Sequence, residues 1–146
     1  MTKLIITIRM KLKETTTIRI RFNETDPLGI VWHGNYITYF EDGREDFGSK
    51  HGISYLDVQS HGYVTPIIAS SCKHKLPLRY GDIATIETTF ENSPAAKMIF
   101  HYKIFNPDGA VVCTGKTVQV FVDDSNQLSL NLPPFFESWK KSKGLL

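Results

Sequence analysis

The sequence predicts an α+β domain in which one long helix lies against an antiparallel sheet of about five strands. Two observations carry this. From Asn35 to about Lys50, the apolar or small residues Tyr36, Phe40, Gly43 and Phe47 recur at helical spacing, with Glu41, Asp42, Glu45 and Asp46 between them. After residue 63 come four β-branched and aromatic runs, the last three separated by Asn/Pro/Gly turn chemistry.

In chain order, residues 3–9 read either as a short strand or as an upstream extension, with Met10 as the effective start of the domain. The whole of residues 1–14 is a candidate extension to a single domain spanning 1–146. Residues 15–23 alternate apolar and polar and are rich in β-branched types, which predicts a strand. Residues 24–29, with Pro27 and Gly29, are turn chemistry. The helix follows, with Gly52 as its stop. Gly43 on its apolar stripe costs ~1 kcal/mol against Ala in an exposed helix, so it makes sense where that face presses closely on a sheet.

Residues 53–63 read as irregular, and 64–76, 82–91, 96–105 and 110–122 as strands. Asn92-Ser93-Pro94-Ala95 and Asn106-Pro107-Asp108-Gly109 separate the last three strands, so those three form consecutive antiparallel hairpins. Residues 133–146 are a tail or short helix with Pro in its first turn.

Composition narrows the function classes. The chain has 146 residues, 41% hydrophobic and 22% charged, as in an ordinary globular domain able to bury a core. A net charge of +2 gives no argument for nucleic acid. Two cysteines, Cys72 and Cys113, show no metal-type spacing with histidine along the chain and make no disulfide framework. The expected compartment is reducing and cytoplasmic. The first ten residues lack the pattern of a signal peptide, and no stretch approaches the ~20 apolar residues that span a membrane. The serine-hydrolase elbow, the P-loop, the dinucleotide fingerprint and His-Glu-x-x-His do not occur.

The most informative segment is Glu24-Thr25-Asp26-Pro27-Leu28-Gly29-Ile30-Val31-Trp32-His33-Gly34-Asn35-Tyr36, which puts a carboxylate in a Pro/Gly turn just before a helix start. It resembles the signature of the 4-hydroxybenzoyl-CoA thioesterase family, matching in register at Arg21, Phe22, Glu24, Thr25, Asp26, Gly29, Val31, His33 and Tyr36. A second family element appears as Pro77-Leu78-Arg79-Tyr80-Gly81-Asp82. The resemblance covers roughly residues 15–140. One departure is His74, where many members carry Tyr three residues before the Pro, and it bears on the lining of the acyl pocket.

The resemblance implies a hot-dog fold, a sheet wrapped around the helix, subunits paired into a longer sheet as a homodimer or homotetramer, and sites at the subunit boundary. It implies hydrolysis of acyl- or aryl-CoA to free acid and coenzyme A, without a metal or organic cofactor. An acyl-ACP thioesterase, with acyl carrier protein as partner, is the alternative within enzymes. A non-catalytic module that binds acyl thioesters is the alternative outside them, and Asp26 argues against it.

The chemistry asks little of such a site. Thiols ionise near pH 8.5, so a thiolate leaves readily and no strong general acid is needed. Asp26 can act as general base or nucleophile. Backbone N–H groups at the loop-to-helix join can hold an oxyanion; by resemblance the N–H of His33 is the donor, with Gly34 letting substrate approach the backbone. Asp26 can equally be a turn residue that bonds its own backbone. His33 can act through its imidazole or through its N–H alone. Glu24, Thr25 and Gly29 position the turn. Tyr36 is positioning or core, and Phe40 is core. Trp32, His74, Arg79, Lys73, Lys75 and Lys116 are candidates for lining the pocket or holding phosphates, or are simply packed and solvated side chains. Cys72 and His74 share one strand face, which suggests either a nucleophile pair or a half-buried thiol beside a solvent-facing imidazole.

Overall fold

The computed structural model describes residues 12–146. The readings made of residues 1–11, including the short strand and the start at Met10, lie outside the described residues. In chain order the elements are β1 (Lys13–Arg19), a 3₁₀ turn (Phe22–Glu24), α1 (Asn35–His51), α2 (Tyr55–Ser60), β2 (Tyr63–Val64) and β3 (Ile67–His74). They continue with β4 (Ile83–Glu91), β5 (Lys97–Phe105), β6 (Val111–Val120), β7 (Val122–Asp123) and α3 (Pro134–Ser142). Five strands form one antiparallel sheet in the order β1-β4-β5-β6-β3, and β2 pairs with β7 beside it.

The helix and the hairpins stand where their local chemistry predicts. Helix α1 buries Tyr36, Tyr39, Phe40, Gly43, Phe47 and Gly48, and ends at Gly52, whose left-handed conformation (φ 70°) lets its N–H return to the Gly48 carbonyl. Strands β4, β5 and β6 follow as hairpins. In the second turn Asn106 N–H donates to the Ala110 carbonyl over 2.9 Å, and Gly109 supplies φ 84°.

Three expectations need correction. The first strand is Lys13–Arg19, not 15–23, because Arg21 to Thr25 fold back on themselves. There the Glu24 carboxylate accepts from the Arg21 N–H and the Phe22 carbonyl from the Thr25 hydroxyl. Residues 53–63 contain α2, opened by a reciprocal cap in which Ser54 N–H donates to Asp57 (2.9 Å) and Asp57 N–H donates to Ser54 Oγ (3.2 Å). The run 64–76 is split at Pro66, whose carbonyl accepts from Val120 N–H, and the chain passes there from β2 to β3.

Close approach of helix and sheet organises the core. A Cβ at Gly43 would collide with the Thr88 hydroxyl oxygen and stand 2.8 Å from Ile86 Cγ2. A Cβ at Gly115 in β6 would collide with the Phe40 ring, which stacks on Tyr102 at 4.4 Å between centroids. The Tyr102 hydroxyl is satisfied under the helix by Thr117 Oγ1 (2.6 Å) and the Arg44 guanidinium (3.1 Å). Helix α3 adds Phe136 and Trp139 to the same core, and the Trp139 indole N–H donates to the His51 carbonyl at the end of α1.

Edge strand β3 contrasts with this. Ile67, Ile68 and Ala69 are exposed on it, and Cys72 is its most covered residue, half-buried. The other edge, β1, alternates exposed and half-covered residues.

Replacing Gly43 by Ala tests the close approach. Helix propensity alone stabilises Ala by ~1 kcal/mol, whereas the crowded methyl costs about 1–3 kcal/mol. Gly43→Ala is expected to lower the urea unfolding midpoint, and a raised midpoint would contradict the packing argument.

Candidate active site

The two sequence motifs meet through the backbone. Val31 N–H donates to the Leu78 carbonyl (2.8 Å), and Ile30 bridges Arg79. Each motif is shaped by its own turn. Asp26 and Ile30 close a hairpin loop in which Asp26 N–H donates to Ile30 O (2.8 Å) and Gly29 N–H to Asp26 O (2.9 Å). Gly29 sits there at φ 78°, a conformation open to glycine at little cost. In the second motif Arg79 N–H donates to the Asp82 carboxylate, and Gly81 (φ 85°) returns its N–H to the Ile20 carbonyl.

The helix start hangs from one carbonyl. Glu24 O accepts from Trp32 N–H (2.9 Å) and from the Asn35 amide (2.7 Å), which ties the first residue of α1 to the turn that carries Asp26. Asn35 was not singled out in the sequence; its place at the opening of the helix, after a turn with free carbonyls, was the available signal. Among the described residues no acceptor is found for the N–H groups of His33 or Gly34. Both remain available at the loop-to-helix join.

A cleft of about 580 Å³ opens along this junction, lined by Asp26, Leu28, Ile30, Val31, His33, Tyr36, His74, Lys75, Leu76, Pro77 and Arg79. It gathers six of the residues expected from sequence: Asp26, His33, Tyr36, His74, Lys75 and Arg79. The apolar walls Leu28, Ile30, Val31, Leu76 and Pro77 were not anticipated, because they gain meaning only when the two motifs pair. A larger cleft of about 950 Å³, lined by β1, Glu24, Tyr39 and Asp42, holds none of the residues singled out from the sequence as catalytic.

Asp26 has two distinct oxygens. Oδ1 accepts from Leu28 N–H (2.8 Å), so the turn role is present. Oδ2 has no protein partner among the described residues. One carboxylate in the cleft lining thus shapes its loop through one oxygen and keeps the other without a protein partner among the described residues. His33 is exposed, its ring 5.0 Å from that of Trp32 and 6.3 Å from that of His74. Tyr36 is buried, 5.0 Å from the His74 ring, and burial pushes its hydroxyl up to about 12, so it is a neutral donor at ordinary pH.

Other candidates fall elsewhere. Lys73 lines a separate pocket of about 290 Å³ with Lys103 and Lys116, on the far face of the sheet. Strand alternation is the reason: Cys72 and His74 point to one side of β3, and Lys73 to the other. Trp32 does not line the cleft. Its ring covers Gly34, where a Cβ would collide with it, so the space beside that glycine is filled by indole and not left open for a substrate. Gly29 is exposed in its turn and shapes the loop without lining the cleft. Burial raises the Cys72 thiol above its ordinary value, which opposes a thiolate nucleophile activated by His74.

Comparison with known proteins agrees with the motifs. A family model described as the Thioesterase-like superfamily matches residues 20–140. YneP of Bacillus subtilis (strain 168) is 30% identical over 84% of this chain and 88% of its own length. The acyl-CoA thioester hydrolase YbgC of Escherichia coli O157:H7 is 21% identical over 80% of this chain and 87% of its own. The solved structure of a DHNA-CoA thioesterase from Staphylococcus aureus superposes with a TM-score of 0.80 at 29% identity, covering 91% of this chain and 92% of that one.

Proposed function

This chain belongs to the Thioesterase-like superfamily, and on that premise we propose that it hydrolyses acyl- or aryl-CoA thioesters, with Asp26 as the key carboxylate. The observation that carries the reading is the meeting, in one cleft, of Asp26 and His33, a carboxylate oxygen and a helix-start N–H that both lack a protein partner among the described residues.

In this reading water is held beside Asp26, which takes its proton as oxygen attacks the thioester carbonyl carbon. The carbonyl oxygen becomes an oxyanion facing the N–H of His33, the residue of the helix start that lines the cleft. The tetrahedral intermediate collapses, the C–S bond breaks, and the thiolate leaves with the electron pair. The proton held by Asp26 passes to the thiolate or to solvent, which restores the carboxylate. Apolar side chains from both motifs line the acyl path. Lys75 and Arg79, exposed at its edge, suit the phosphates of coenzyme A.

Asp26→Asn separates turn from chemistry, since an amide oxygen can still accept from Leu28 N–H. The fold is expected to survive while hydrolysis, read as release of free thiol, falls at least ~10²-fold, the scale of a lost general base. Near-normal turnover in the folded variant would exclude Asp26 from the reaction. Running the assay on acyl-CoA and on acyl carrier protein loaded with the same acyl group decides the carrier.

Replacement of His33 by Phe distinguishes imidazole from backbone. If the ring moves protons, turnover falls and the pH profile changes shape. Full turnover with an unchanged profile would leave His33 only its N–H.

Assembly belongs to the same proposal. Strand β3 offers an uncovered, partly apolar edge ending at His74 in the cleft, and an edge of that kind invites pairing with a second copy. Light scattering is expected to find a dimer or a larger even assembly. A stable, active monomer contradicts it.

A further inference from the structure

Behind the cleft stand three side chains that the hydrolysis does not use as reactants. Cys72 and His74 share a face of β3, and the antiparallel register puts Cys113 of β6 directly opposite His74. Cys72 Sγ lies 3.0 Å from Cys113 Sγ and 3.9 Å from His74 Nδ1, and all three donor atoms fall within 4.8 Å of one another. Both cysteines are free. Cys113 is buried, Cys72 half-buried and His74 exposed in the cleft wall, so the cluster runs from the core to the open site.

We propose that Cys72, His74 and Cys113 form a binding site for a thiophilic divalent cation of the zinc type, set into the inner wall of the cleft. The donor set argues the chemistry. Two sulfurs and an imidazole suit Zn(II), while Mg(II) and Ca(II) require oxygen ligands. A tetrahedral zinc ion, with its usual bond lengths, separates two sulfurs by about 3.8 Å and a sulfur from a nitrogen by about 3.6 Å. The observed separations lie on either side of those values, and shifts of about 1 Å in side-chain positions close the difference. Three protein ligands leave a fourth position, and His74 places it towards the cleft. That is the pattern of an open, exchangeable site and not of a closed structural one. A bound ion would also fix His74, whose ring now rests 5.0 Å from Tyr36, and so alter the wall that the substrate meets. The geometry of the cluster carries the site independently of hydrolysis.

The test uses the full chain, reduced and stripped of metal, titrated anaerobically with Co(II) and then Zn(II). The expected result is a thiolate-to-cobalt charge-transfer band that saturates at one ion per chain and is bleached by Zn(II). Zn(II) is also expected to shield the half-buried Cys72 thiol of the unsubstituted chain from iodoacetamide. His74→Ala, at an exposed position, and Cys72→Ser should each weaken Co(II) binding by roughly tenfold or more, as loss of a ligand requires. Absence of the band, absence of thiol protection, or a band of unchanged affinity in both variants overturns the site. Failure of the reduced chain to take up Co(II), together with a two-dalton mass loss in air, overturns it in favour of a redox-active thiol pair.

Discussion

The structure depends on how closely helix α1 can lie on its sheet. Two missing side chains make this possible, Gly43 on the helix and Gly115 on β6, and each faces a bulky neighbour from the other layer. Phe40 enters the space over Gly115 and stacks on Tyr102, whose hydroxyl is in turn bound by Thr117 and Arg44. Dispersion, close packing and a satisfied buried polar group therefore reinforce one another at a single crossing point. Because the helix is held there, its N-terminus is also held, and the loop carrying Asp26 has a fixed support.

The site uses a different kind of constraint. It is made by backbone pairing between two turns almost fifty residues apart, Ile30–Val31 against Leu78–Arg79. The side chains can then be few and largely unpaired, since the main chain sets their positions. The Glu24 carbonyl, by gripping both Trp32 and Asn35, transfers that order to the first turn of the helix. Asp26 is placed by the same economy: one oxygen serves the loop, the other has no protein partner among the described residues, and the residue lines the cleft.

What could be read from the sequence was what local chemistry determines. The periodicity of Tyr36, Phe40, Gly43 and Phe47, the stop at Gly52 and the turn at Asn106–Gly109 all reappear, because each depends on a few neighbouring residues. The end of β1 is not legible in the sequence, because Ile20 and Arg21 continue an alternating pattern while their hydrogen bonds go to Asp82 and Glu24. Helix α2 is legible in the Ser54-x-x-Asp57 cap, and strand alternation along β3 sets Lys73 on the face opposite His74. The meeting of Cys113 with Cys72 and His74 was not legible. It follows from the β3–β6 register, which joins strands whose order in the sheet is unrelated to their order in the chain.

The covering of Gly34 by Trp32 has an optical consequence. The chain has two tryptophans. Trp139 is enclosed by Phe90 and Phe136 and donates to the His51 carbonyl, while Trp32 is 49% exposed, against His33. One indole thus sits in a dry, fixed surrounding and the other in a wet one beside the candidate chemistry. Trp32, at 49% exposure, is open to a collisional quencher such as iodide to a far greater degree than Trp139, at 9%. The protein carries its own paired fluorophores, a reference in the core and a sensor beside His33, with no label added.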